Sequence, residues 1–455
     1  AVGGTVLLGD PGRVLKGLST DSRTIRAGEV FWALKGERHD GHRFVQAAAH
    51  KGASCVVVER DAAGEPAKDA PCAVIAVRET LWALGRLASW WRSRHRTLVV
   101  AVTGTSGKTT TKEMTAGILE IGSETFRNPG NFNNLIGLPL SLLQLRKSHV
   151  RAVLEMGMNR PGEIARLTEI SDPEVGLITN VGKAHLEGVG GLEGVAAAKV
   201  ELLRRMRPNG KAVLNGDDER LMRAASAVPH RGLTFGLGKG NDVRADGIKS
   251  HGAEGVVFDI LHREMRLPVE LRVPGIQNVM NALGAAAAAF CLEEPPDHVA
   301  QGLGRFRGLK GRFMAIRLSG GGVLIDDTYN SNPSSLKAAL ESLKGLGNPE
   351  SGYIIALGDM KELGGAASPE HLKAGEKVAR LDPRLFLALG EHAPEMLRGA
   401  LEAGMARERA REVVDHADMV RSIITEYREG DVILLKGSRK MELDRVMEEV
   451  RSELS

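Results

Sequence analysis

The stretch Thr97-Leu98-Val99-Val100-Ala101-Val102 runs into Gly104-Thr105-Ser106-Gly107-Lys108-Thr109-Thr110, and this junction constrains the fold more than any other feature of the chain. So apolar a run predicts a buried strand of a parallel sheet. The residues from about Thr111 predict a helix that opens directly after the glycine-rich turn. In that arrangement successive backbone N–H groups and the positive end of the helix dipole converge, and together they can cradle phosphates. Lys108 can reach the terminal phosphates of a bound ATP or GTP, and the Thr109 hydroxyl can ligate magnesium. The common eight-residue pattern has glycine five positions before Gly107, where this chain has Val102, so the loop is a shorter variant.

At roughly 150 residues per domain, a chain of 455 residues predicts about three domains. Short apolar runs alternate with helical patterns throughout, which predicts an α/β fold with crossover helices. Strands are expected at 30–34, 54–58 and 73–77 with a helix at 44–50, forming a small N-terminal α/β domain over 1–95. A helical pattern over 79–94 leads into the phosphate-loop strand. Further strands at 152–154, 175–179 and 211–214 make a central P-loop-type ATPase domain with a parallel sheet over 96–312. Each runs into polar residues at its C-terminal end, the edge where open parallel sheets bind ligands. The basic, glycine-punctuated segment 306–312 reads as a linker. Strands at 323–325, 353–357, 385–389 and 432–435 then predict a C-terminal Rossmann-like domain over 313–455.

Lys and Arg number 61 against 57 Asp and Glu, a net +4 that is too small and too dispersed for a nucleic-acid surface. Cys55, Cys72 and Cys291 are far apart and read as buried thiols of a reducing compartment. The most apolar stretch, 281–292, falls short of the ~20 residues that span a bilayer, so no membrane insertion is expected. With no signal segment in view, the cytoplasm is the expected location, and a monomer the expected state.

Two further residues point toward the same crevice, and a third stands out by its neighbours. Glu155 ends the strand after the loop helix, where a carboxylate can hold magnesium. His185 follows the strand at 175–179 and can reach that edge too. Each alone is an ordinary solvated side chain; their shared position at strand C-termini raises both. Lys199, in a helical pattern, would on composition alone be a solvent-facing lysine, although its neighbours Ala196, Ala197 and Ala198 permit burial. A desolvated lysine loses its proton more readily, and a neutral amine can take up carbon dioxide as a carbamate, a carboxylate-like magnesium ligand.

Taken together, the motifs resemble the Mur ligases of peptidoglycan synthesis over nearly the full length. The resemblance rests on Ser19-Thr20-Asp21-Ser22-Arg23, the short phosphate loop continuing into Lys112-Glu113-Met114, Asn131-Phe132-Asn133-Asn134, and Ile136-Gly137-Leu138-Pro139. It continues in 180–187, 278–281, Asp326-Asp327-Thr328-Tyr329-Asn330-Ser331-Asn332-Pro333, 357–364 and Lys436-Gly437-Ser438-Arg439. The last three point to the branch that adds D-alanyl-D-alanine. The family's usual loop asparagine is Ser106 here, and its usual alanine is Ser331.

The resemblance implies roles position by position. Gly104 to Thr110 would hold ATP, with Lys108 on the phosphates. Thr109, Glu155, His185 and a carbamylated Lys199 would surround two magnesium ions. Asn278 and Asn281 would lie near the adenine, with Arg312 and Asp327 contributed to the nucleotide by the third domain. Ser19, Asp21, Ser22 and Arg23 would belong to the pocket for the UDP end of the substrate, and Asn133, Asn134, Asn330 and Asn332 would be further substrate residues. Lys436, Ser438 and Arg439 would lie near the peptide or the incoming dipeptide. The implied substrates are UDP-N-acetylmuramoyl-tripeptide and D-alanyl-D-alanine, joined through an acyl phosphate. A sister Mur ligase, a folylpolyglutamate synthetase or a regulatory phosphate-loop NTPase are the competing readings; the last has no use for Lys199 or the Asp21 to Arg23 pocket.

Overall fold

The apolar runs become strands of three separate sheets, of five, nine and six strands. The computed structural model describes residues 1–455 except 11, 13, 37–38, 63, 65–70, 184–189 and 347–351. Contacts divide the chain into two compact units. The first is Ala1–Thr97 with Asn128–Lys147 and Glu169–Asp172; the second is Leu98–Arg127, Ser148–Thr168 and Pro173–Ser455.

In the first unit the sheet runs in the order Thr5–Leu8, Ala73–Val77, Cys55–Glu59, Val30–Trp32, Leu18–Ser19, with only the first pairing antiparallel. One face carries helix Thr80–Ser93, whose Ala83 and Leu84 pack with Val30, Trp32, Cys55 and Val57. The first unit also includes helix Gly137–Leu142, whose Asn134 side chain accepts from the Ile136 and Gly137 N–H groups at 3.1 and 2.8 Å. Buried Arg92 ties the short piece Glu169–Asp172 in by donating to the Ser171 and Asp172 carbonyls at 3.0 and 3.3 Å. Sequence order gives no hint of these two inserted pieces, because the contacts that place them are long-range.

In the second unit Leu98–Thr103 lies inside the nine-stranded sheet, parallel to Arg151–Glu155 on one side and Val175–Ile178 on the other. Pairing of Val102 with Glu155 and of Thr103 with Ile178 brings both neighbouring strand ends out beside the glycine-rich turn. Parallel order continues through Lys211–Asn215 and Arg231–Gly236, then becomes antiparallel across Val243–Ser250, Val256–His262 and Met265–Leu271. Thr125–Arg127 completes the far edge. The five strands that the apolar-run reading missed have visible reasons. Val243–Ser250 is largely exposed, and Met265–Leu271 alternates buried and exposed residues around Pro268, which an edge strand tolerates.

The phosphate-loop helix is Lys108–Leu119, and the alanine-rich helix Ile276–Cys291 packs along it. Small residues permit that closeness. Helix Pro296–Arg305 approaches so tightly at Gly302 that a β-carbon there would collide with the Ile118 backbone.

The third sheet has the order Met314–Arg317, Val323–Asp327, Val432–Lys436, Tyr353–Gly358, Leu385–Leu389, Ala410–Glu412, parallel except at its first pairing. The four expected strands are present, with a short edge strand added on each side. Cys55, Cys72 and Cys291 are all buried, and no disulfide joins them among the described residues. Among the described residues no helix is long and apolar enough to cross a membrane.

Gly302→Ala is expected to destabilise the second unit by about 1–3 kcal/mol, the usual cost of overpacking a core. Urea unfolding followed by far-UV circular dichroism checks this; an unchanged midpoint would mean that the two helices part without cost.

Candidate active site

The turn after Leu98–Thr103 is held from the neighbouring strand end. Thr179 Oγ1 donates to the Ser106 carbonyl at 2.6 Å, Asn180 Oδ1 accepts from the Ser106 N–H at 2.9 Å, and Asn180 Nδ2 donates to the Ser106 carbonyl at 3.1 Å. The Gly182 N–H donates to Thr105 Oγ1 at 2.9 Å. Gly107, at φ 80°, begins the helix in the left-handed region, and a β-carbon there would run into the Asn281 side chain. Lys108 folds back over the turn, its ammonium donating to the Gly104 and Thr105 carbonyls at 3.0 and 3.2 Å. The lysine thus lies over the turn at the N-terminus of helix Lys108–Leu119, an arrangement suited to phosphate.

Charge around this nest is lopsided. Desolvation lowers the Lys108 pKa, nearby Glu155 raises it, and Arg312 lowers it again, with a net downward shift. Glu155 is 3% exposed at the end of its strand. Lys199, on helix Leu192–Arg205, is also 3% exposed and forms no hydrogen bond or ion pair with the described residues. Burial first, and then the charge of Lys108, hold its pKa well below the ordinary lysine range. The Lys199 amine is therefore the group whose neutral form the fold favours, and a carbamate there would convert repulsion from Lys108 into attraction. His185 lies outside the described residues.

The third sheet sends residues to the same turn. Arg312 donates to Thr109 Oγ1 at 3.2 Å, and its guanidinium stacks 3.8 Å from the Tyr329 ring centroid. Asn332 caps helix Pro333–Leu343 by accepting from the Ser335 N–H at 2.9 Å, while its amide nitrogen lies 3.5 Å from Ser106 Oγ. Asn281 accepts from Thr111 Oγ1 at 3.2 Å and donates to Asn278 Oδ1 at 3.3 Å; Asn278 in turn donates to the Pro274 carbonyl at 2.8 Å.

Other expected site residues have framework contacts. Asp327 accepts from the buried Lys436 ammonium at 2.6 Å and from the Phe313 N–H at 3.2 Å, so both side chains are committed to an ion pair beneath the linker. Lys436 also donates to the Asn330 carbonyl at 3.0 Å, and Asn330 Oδ1 accepts from the Ser331 N–H at 2.9 Å. Ser438 accepts from the Lys361 N–H at 2.8 Å, and the solvent-facing Arg439 pairs with Asp444 at 3.0 Å.

A separate group lies in the first unit. Ser19 Oγ accepts from the Asp21 N–H at 3.1 Å, and Asp21 grips Arg23 through guanidinium contacts of 2.8 to 3.2 Å. Hydrogen bonds from Arg23 hold the Asp21 carboxyl down at about 2. Ser22 is half-buried beside them, and Asn133 and Asn134 belong to the same unit.

Three family profiles match the sequence: "Mur ligase family, catalytic domain" over residues 14–92, "Mur ligase middle domain" over 102–289, and "Mur ligase, glutamate ligase domain" over 311–439. The UDP-N-acetylmuramoyl-tripeptide--D-alanyl-D-alanine ligase of Bacillus subtilis is 35% identical over 442 residues, covering 96% of this chain and 93% of the relative. The chain belongs to the Mur ligase family. Among solved structures, MurF from Acinetobacter baumannii superposes with a TM-score of 0.88 at 34% identity, covering 97% of this chain and 94% of that one. MurF ligase from Thermotoga maritima in complex with ADP gives 0.86 at 29% identity, covering 96% and 97%.

Residue-level reading of this Mur ligase missed Thr179, Asn180 and Tyr329. The first two follow a strand adjacent to the phosphate-loop strand, a placement that only sheet order reveals. Tyr329 stands two residues beyond Asp327, and only the fold brings its ring under Arg312.

Lys199→Met removes a buried amine that resists protonation. Between its lowered folded pKa and the ordinary lysine value the unfolded chain binds more protons, so the parent gains stability as pH rises. In carbonate-free buffer the variant is expected to melt above the parent at neutral pH, with the gap closing toward pH 9. Calorimetric melts across that range check the trend; a pH-independent gap would rule out the buried-amine account.

Proposed function

We propose that the chain is an ATP-dependent ligase that joins D-alanyl-D-alanine to UDP-N-acetylmuramoyl-tripeptide, giving the pentapeptide precursor of peptidoglycan. The observation that carries this reading is the full-length match to ligases of that name. It is supported by a phosphate loop that residues of the third sheet reach at Thr109 and Ser106.

A carboxylate is a poor electrophile, so the peptide's terminal carboxylate first takes the γ-phosphoryl group of ATP, giving an acyl phosphate and ADP. The dipeptide amine then attacks the acyl carbon, phosphate leaves with the C–O bond electrons, and the amine loses a proton. The loop N–H groups, Lys108 and Arg312 offset charge on the transferring group, where electrostatic stabilisation counts most. Asn278 and Asn281 line the adenine side. Asp327 acts on the nucleotide through the linker it holds. Ser19, Asp21, Ser22, Arg23, Asn133 and Asn134 bind the UDP end, while Asn330, Asn332, Lys436, Ser438 and Arg439 shape the peptide side. Thr109, the buried Glu155, His185 and a carbamate on Lys199 would hold two magnesium ions, whose charge would offset that of the triphosphate and the substrate carboxylate. Functional domains of 1–95, 96–312 and 313–455, a monomeric state and a cytoplasmic location complete the reading.

The test is phosphate release from ATP with magnesium, each substrate being supplied alone and then both together, with product mass recorded. Release that needs both, with a product heavier by one dipeptide less water, is expected. Hydrolysis independent of substrate, with no new mass, would overturn the ligase reading in favour of a nucleotide switch. Lys199→Met is expected to lose more than about a hundredfold in rate, the scale of removing one pre-organised electrostatic contribution.

A further inference from the structure

Helix Thr80–Ser93 in the first unit carries an unusual outer face. Trp82, Arg86, Trp90 and Arg94 follow one another at intervals of four, the spacing that aligns side chains along one side of a helix. Trp82 is 50% exposed and Trp90 40%. The guanidinium of Arg94 lies 4.9 Å from the Trp90 ring centroid, and that of Arg86 lies over Gly3. The opposite side buries Ala83, Leu84, Gly85 and Ala88 against the sheet.

From Thr80 to Arg96 the chain has no acidic residue, and Arg86, Arg94 and Arg96 are exposed while Arg92 is buried. Val6, 43% exposed, pairs across the sheet with Ile75, which packs in the core beneath this helix, so Val6 belongs to the same side. The result is a convex, cationic ladder with an apolar flank, about 18 Å long at the ordinary helical rise.

We propose that this face adsorbs to an anionic lipid surface, with the helix lying in the plane of the headgroups. One feature of the ladder favours a lipid surface over a protein partner. Its composition alternates the ring that prefers the headgroup layer with the cation that anionic headgroups attract. Indole rings enter the interface while Arg86 and Arg94 remain at the level of the phosphates. The proposal is independent of the ligase reading and uses none of the residues assigned to it.

The experiment is co-sedimentation of the full chain with phosphatidylcholine vesicles, with and without phosphatidylglycerol, at low and high salt. Binding is expected only to the anionic vesicles, weakening with salt and accompanied by a blue shift in tryptophan emission. Arg86→Glu with Arg94→Glu should weaken it by roughly tenfold or more, and Trp82→Ser with Trp90→Ser should weaken it and remove the blue shift. Arg398→Glu with Arg407→Glu, the same charge change in the second unit, should leave it intact. Melting temperatures near the parent's establish that the exposed-site variants are folded.

Absence of binding to anionic vesicles, equal binding to neutral ones, or equal losses in ladder and control variants would overturn the proposal. So would light scattering that shows the ladder variants dissolving a dimer, since a second copy would then cover the face.

Discussion

Two cationic groups, Lys108 and Arg312, and the buried Lys199 amine gather around one turn of the central sheet with Glu155 as the nearby carboxylate, and much of the second unit serves to hold them there. Like charges brought together out of water are unfavourable unless something anionic joins them. The fold accepts that cost through a rigid sheet edge: Thr179 and Asn180 fix the turn, and Asn281 closes on Gly107. The triphosphate of ATP is an anion that such a cationic turn at a helix N-terminus suits.

How the third sheet participates follows from its linker. Asp326 accepts from the Gly311 N–H at 2.7 Å, and Asp327 accepts from the Phe313 N–H, so the end of strand Val323–Asp327 fixes the backbone on both sides of Arg312. With Tyr329 beneath the guanidinium, the arginine is aimed from two directions. Lys183, leaving the strand end beside the phosphate loop, pairs at 2.6 Å with the buried Glu370 of helix Ala367–Ala379. These contacts give the nucleotide-facing edge two supports from residues more than a hundred positions later in the chain.

Much of this was legible in the sequence where a residue's role depends on its immediate neighbours. The buried strand before Gly104, the helix after it, and the placement of Glu155 at the next strand end follow from local apolar runs and turn residues. Lys199 was legible only through family resemblance, because a lysine in a helical pattern ordinarily faces water; its desolvation is a property of the packed helix. Contacts such as Asn180 to Ser106 and Arg312 to Tyr329 depend on strand order and inter-sheet packing, which local patterns do not encode. Half-exposed strands such as Val243–Ser250 escaped detection for a related reason, since their few buried positions leave little apolar periodicity.

Strand Val432–Lys436 is late in the chain yet central in its sheet, between Val323–Asp327 and Tyr353–Gly358. During synthesis, Asp327 has no Lys436 to pair with until 109 further residues have been made. Until then the third sheet is two fragments with a gap between them, and the linker that aims Arg312 has only part of its support. An emerging chain can therefore form its phosphate-loop strand and helix before the support of Arg312 is complete, an order set by the position of the last strand in the sheet.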